Sequence, residues 1–148
     1  LADGNYGVFG MNFIEDAGSK YTANNLKFKK SVFTFDSLLV CLGSNISATN
    51  NSNQVITTLF QGVNASSNPA IYLNSSTPTS TTYSGEISTT TNPVWLVNAQ
   101  TTGYYIPLGN GNIQVFRGQQ STPQHTTNNT STTSTANASK AWLLHGTR

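Results

Sequence analysis

The 148 residues match the usual size of one domain, and only 8% of them are charged, seven basic against five acidic, for a net charge of +2. A positive charge so thin, clustered only at Lys27, Lys29 and Lys30, excludes a nucleic-acid footprint. No apolar run approaches the roughly 18 residues that cross a bilayer as a helix, so no membrane partner is expected.

Asn, Ser, Thr and Gly fill most of the other polar positions, a loop-rich composition. The opening Leu1-Ala2-Asp3-Gly4 lacks the basic flank and apolar centre of a signal peptide, which points to a processed product or an excised piece of a longer chain. Helical periodicity is missing throughout, because Gly, Pro or β-branched clusters interrupt every window of about eleven residues. Short strands are expected instead, the first over residues 6–14 and the second over 26–35. In the second, Leu26-Lys27-Phe28-Lys29 alternates, which turns Leu26 and Phe28 to a core and both lysines to solvent. The following Val32-Phe33-Thr34-Phe35 sends Phe33 and Phe35 inward. Asp36-Ser37 then supplies a turn before a third strand over 38–42, making a hairpin in which Phe33, Phe35, Leu39 and Leu42 share one core. The single cysteine, Cys41, falls inside that apolar strand and reads as a small buried hydrophobe. It excludes an intramolecular disulfide.

Further strands are expected over 55–61, 70–73, 94–98, 103–106, 113–117 and 141–145, with spacing that suits an antiparallel β-sandwich. Gly109-Asn110-Gly111-Asn112 tolerates the positive φ of a tight turn and predicts a second hairpin between 103–106 and 113–117. Residues 75–92 and 119–139 are dominated by Ser, Thr, Asn and Gln. They carry too little apolar surface to offset their ordering entropy, and read as long exposed loops or linkers.

Lys29-Lys30-Ser31-Val32-Phe33-Thr34-Phe35-Asp36, followed by Leu39-Val40-Cys41-Leu42-Gly43-Ser44-Asn45-Ile46, resembles a signature of polysaccharide lyase family eight, the chondroitin and hyaluronan lyases. Three more blocks stand in the family's order: Gly7-Val8-Phe9-Gly10-Met11, Thr57-Thr58-Leu59-Phe60-Gln61, and Trp142 with His145-Gly146-Thr147. The resemblance implies the central β-sandwich of such a lyase, part of a larger supersandwich, with the chain a single sandwich domain over 1–148 or a truncated portion of one. The family's β-elimination uses Asn, His, Tyr and Arg on a helical toroid that this sequence does not contain, so no catalytic residue is expected. Tyr6, Tyr104, Tyr105, His145 and Arg117 are explained by packing or ladder geometry. The family's sandwich continues past the His-Gly block, so a strand edge is expected to be covered by polar loops or by a second copy.

Seven Asn-x-Ser/Thr sequons, at Asn45, Asn50, Asn64, Asn74, Asn128, Asn129 and Asn137, are glycosylation candidates, although composition alone would give about five. Trp95, Trp142, Tyr104 and Tyr105 have faces on which pyranose rings could stack, and buried sandwich aromatics explain them too. Asp3, Glu15, Asp16, Asp36 and Glu86 are too scattered for a metal, and no cofactor is expected. The expected role is an extracellular, noncatalytic scaffold with an acidic polysaccharide as partner. The alternative is a self-associating structural glycoprotein that pairs through strand edges, since so little charge guards them.

Overall fold

Alternation builds the first strands: Leu26 and Phe28 are half-buried while Lys27 and Lys29 are exposed, as a period of two requires. In the computed structural model, which describes residues 5–15, 25–49, 52–123 and 133–146, this run opens β2 (Lys27–Phe35). That strand is the centre of an antiparallel meander with β1 (Tyr6–Ile14) and β3 (Leu38–Ser47). The hairpin at Asp36-Ser37 is present: Phe35 pairs with Leu38, and Asp36 takes a φ of 49°, the left-handed conformation a two-residue turn demands. Near its far end β3 carries one extra residue between the pairs Lys29↔Ser44 and Lys27↔Ser47, a bulge at which Asn45 adopts a φ of 52°.

The shared core expected for Phe33, Phe35, Leu39 and Leu42 does not form. Phe33 is half-buried, whereas Phe35 is 46%, Leu39 63% and Leu42 57% exposed. Cys41 is likewise exposed, not buried. Register explains this. Leu42 pairs with Ser31 and shares a face with Phe33 and Phe35, while Leu39 pairs with Thr34 and Cys41 with Val32 on the opposite face. Both faces therefore carry exposed apolar side chains among the described residues.

The chain divides into two compact units, Leu1–Val55 with His145–Arg148, and Ile56–Leu144. In the first, the His145 N–H donates to the Val55 carbonyl at 2.9 Å and the Val55 N–H to Gly146 O at 3.1 Å. His145 thus stands in a structural pairing, with Gly146 supplying a φ of 82°.

The second unit is a two-layer sandwich. One sheet runs β4-β10-β9-β6, built from β4 (Ile56–Val63), β6 (Tyr83–Ser88), β9 (Asn112–Pro123) and β10 (Thr133–Leu144). The other runs β5-β7-β8, from β5 (Tyr72–Leu73), β7 (Val94–Val97) and β8 (Gly103–Ile106). Phe60, Ile113, Val115 and Ala141 of the first sheet meet Ile71, Val94, Leu96 and Ile106 on the side of the second. Each large aliphatic buried there contributes about 1.5–3 kcal/mol. All described strand pairs are antiparallel, and among the described residues there is no helix.

Two expectations fail in this unit. The glycine-rich turn exists, with Gly109 at φ 81° and Gly111 at 85°, but it is not a hairpin: β8 pairs with β7, and β9 with β10 and β6. The turn carries the chain from one sheet to the other. It is pinned by Thr89, whose hydroxyl donates to Gly111 O at 2.7 Å and whose carbonyl accepts the Gly109 N–H at 2.8 Å. Nor are the polar stretches simply loops. Residues 75–92 contain β6, whose Tyr83 and Ile87 pack against the core. In 119–139, β9 and β10 pair in unbroken register from Leu144↔Asn112 to Thr133↔Pro123. Ladder hydrogen bonds engage backbone regardless of side chain, so a Thr-rich strand forms once a neighbour is in place.

Candidate carbohydrate-contact surface

In β7, Val94 and Leu96 are buried at 0% and 1% exposure, so the intervening Trp95 must point outward, and it is 59% exposed. Its partner on β8 is Tyr105, 51% exposed, and the two ring centroids lie 4.3 Å apart with planes inclined at 43°. Tyr72 reaches the same outer face through its pairing with Val97. Added side-chain bulk at the neighbouring Gly103 would meet nothing within 4 Å, so the surface beside Tyr105 is open. The Trp95 backbone is clamped on both sides: its N–H donates to Asn74 Oδ1 at 2.7 Å, and its carbonyl accepts the Asn74 N–H at 2.8 Å. Two large rings on a pinned strand give broad apolar contact at small entropic cost, the property that sugar stacking needs.

The other two stacking candidates are elsewhere. Tyr104 faces inward, half-buried, with its ring 5.3 Å from that of Phe60 and its hydroxyl accepting from Asn98 Nδ2 at 3.3 Å. Period two sends it to the side opposite Tyr105, so it cannot join the platform. Burial pushes the Tyr104 hydroxyl above its ordinary range, against the smaller downward pull of Asn98. Because the folded state favours the neutral phenol, this stabilisation is full below the ordinary tyrosine range and is lost as pH rises through the folded value. Tyr104→Phe is therefore expected to flatten the alkaline decline in stability, measured as urea midpoint against pH from neutral upward. An unchanged slope would refute the assignment. Trp142 lies half-buried on the outer face of the four-stranded sheet.

Asn45, Asn74 and Asn137 are exposed, whereas Asn64 is only 7% exposed, a correction to its place among the glycosylation candidates. Its amide donates to Asn68 Oδ1 at 2.7 Å and its oxygen accepts the Ser139 hydroxyl at 2.9 Å, so both ends of the side chain are occupied inside the fold. Asn50, Asn128 and Asn129 lie outside the described residues.

Arg117 is buried, its Nη1 donating to the carbonyls of Thr79 and Ser80 at 2.6 and 2.9 Å and its Nη2 to that of Asn68. Among the described residues no three His, Cys, Asp or Glu side chains gather around a metal position, and no helix is long and apolar enough to cross a membrane. Sequence reasoning missed Tyr72 and Lys140. The alternation Lys140-Ala141-Trp142 carried the signal for the second, since it sets lysine and tryptophan on one face.

A two-layer antiparallel sandwich with an exposed aromatic pair, joined in one chain to a three-stranded meander, defines an all-β sandwich module. The family model for the super-sandwich domain of polysaccharide lyase family 8 matches residues 1–148, and the chain belongs to that family. It is 28% identical over 146 residues to a chondroitin sulfate ABC endolyase of Proteus vulgaris, covering 99% of this chain and 14% of that protein. It also superposes on a solved chondroitinase AC lyase with a TM-score of 0.72 and 23% identity, covering 94% of this chain and 19% of the other. The chain thus spans a small fraction of the length of both.

Proposed function

We propose that these residues are a noncatalytic portion of a lyase super-sandwich domain, acting as a scaffold that touches an acidic polysaccharide through Trp95 and Tyr105. The observation that carries this is the pair of exposed rings 4.3 Å apart on adjacent strands. The lack of a catalytic role is supported by where polar groups are committed. β-Elimination needs a base and a group that neutralises the uronate carboxylate on one sugar. Yet Tyr104 and Tyr105 face opposite sides, and the Arg117 guanidinium is held by three backbone carbonyls. An extracellular location goes with this reading, because a long charged polymer is met outside the cell. The alternative of a self-associating structural glycoprotein draws no support from the relatives.

The test is affinity electrophoresis of the chain in gels containing chondroitin sulfate. Retardation is expected, weakened about tenfold by Trp95→Ala or Tyr105→Ala and unaffected by Tyr104→Phe. In solution no ultraviolet-absorbing unsaturated product should form. Equal retardation of the Trp95→Ala protein would remove the platform, and product formation would end the noncatalytic reading.

A further inference from the structure

The outer face of the four-stranded sheet has a chemistry of its own. On β10, Lys140 and Trp142 share that face, and Phe116 of β9 is the cross-strand partner of Lys140. The Lys140 ammonium stands 5.3 Å from the Phe116 ring centroid and 5.1 Å from that of Trp142, poised between two aromatic faces. Gln61 of β4 pairs with Lys140 on the other side, and Gln114 of β9 pairs with Trp142. Neither glutamine side chain bonds to a described residue, and no described carboxylate pairs with Lys140. The carboxylate of this face, Glu86, stands on β6 with β9 between it and β10, where it takes a 2.5 Å hydrogen bond from Asn112. It is also the sole acidic residue from Ile56 to Leu144. Cation–π contact orients an ammonium and leaves its charge uncompensated, so this cation retains its demand for an anion. Amide donors and ring edges around an unpaired lysine are the parts that recognise a charged sugar, with the charge met by the ammonium, the hydroxyls by the amides and the ring by the aromatic.

We propose that this face is a second polysaccharide-contact site, in which Lys140 takes the carboxylate or sulfate of an acidic sugar while Trp142, Gln61 and Gln114 contact its ring. The site rests on the reading that the chain binds an acidic polysaccharide, and it adds which residue reads the charge. Trp95 supplies no charge to its own platform, whereas Lys140 sets one beside Trp142, so of these two surfaces the second is the one that separates acidic from neutral glycans.

The chain has two tryptophans, one on each surface, and each serves as a separate reporter. In a Trp95→Phe background, with excitation beyond the tyrosine absorption band, only Trp142 emits. Titration with a chondroitin sulfate tetrasaccharide is expected to change its emission, more weakly as salt is raised. Adding Lys140→Met should weaken that response at least tenfold, and Lys140→Arg should retain it within about threefold. Cellotetraose, which is neutral, should leave Trp142 silent. A silent Trp142 with the acidic sugar, an unchanged affinity in the Lys140→Met protein, or an equal response to inorganic sulfate at the same concentration would each overturn the site. The Trp142→Phe protein reports the platform independently. Response there with a silent Trp142 would keep the platform and reject the Lys140 site, and the reverse would reject the platform alone.

Discussion

Replacing Arg117 by methionine is expected to destabilise the Ile56–Leu144 unit by about 3 kcal/mol or more, at nearly constant side-chain bulk. Arg117 is 4% exposed, and its guanidinium holds the carbonyls of Asn68, Thr79 and Ser80. These belong to the irregular connections on either side of β5, which have little regular pairing of their own. Hydrogen bonds from a charged donor contribute about 1.5–3 kcal/mol each, so losing three of them outweighs the relief of burying a charge, although Asn68 and Thr79 are only half-buried and Ser80 is exposed. The Nε is already without a partner among the described residues, so the native arrangement pays part of that burial cost in return for fixing the connection. Asn64 and Asn68 extend the network: Asn68 sits at φ 45° and accepts from Asn64, which in turn accepts from Ser139 of β10. Arg117→Lys is expected to recover little, since one ammonium cannot reach all three carbonyls in the planar geometry that they present. Both tryptophans belong to this unit, so urea unfolding followed by their fluorescence measures the effect. A midpoint shift equivalent to less than about 0.5 kcal/mol for Arg117→Met would show that the carbonyls find other donors.

Local chemistry was legible in the sequence wherever it was enough to decide the outcome. The Leu26–Lys29 alternation and the Asp36-Ser37 turn depend on side-chain parity and on φ, which neighbouring residues fix. Gly109–Asn112 dictates a turn but does not dictate a hairpin. Positive φ is a local property, whereas the choice between turning back to a partner and crossing to another sheet depends on Thr89 and on which strands are already paired. β6 and the long ends of β9 and β10 were hidden, because Thr and Ser have no apolar alternation to show, and pairing is decided by the backbone of a neighbour. The platform was half legible. Composition offers Trp95, Tyr104 and Tyr105 alike, and only register separates two adjacent tyrosines into an inward ring and an outward one. Lys140 escaped because a lone lysine in a polar sequence reads as solvated. Its meaning comes from Phe116, a residue of another strand.

Leu96→Ala is expected to cost about 3–4 kcal/mol, and Phe35→Ala less than about 1.5 kcal/mol, although phenylalanine is the larger side chain. Leu96 is 1% exposed, in a core with Ile71, Val94 and Ile106 on its own side and Phe60, Ile113, Val115 and Ala141 across from it. Truncation there removes the transfer free energy of the lost methyls and leaves a cavity that two pinned sheets cannot close. Phe35 keeps 46% of its surface in solvent and touches Tyr6 edge-on, at 6.2 Å between ring centroids. Its loss opens no enclosed cavity and forfeits only part of the burial term. The ranking therefore inverts what side-chain size and apolar pattern alone would give. It separates a finished core, in Ile56–Leu144, from a sheet with exposed apolar side chains on both faces. Urea unfolding monitored by tryptophan emission reads Leu96→Ala, and far-ultraviolet circular dichroism reads Phe35→Ala across all the strands. If Phe35→Ala proved as costly as Leu96→Ala, the ring would have to be enclosed in solution, and the exposure of β2 and β3 would be refuted.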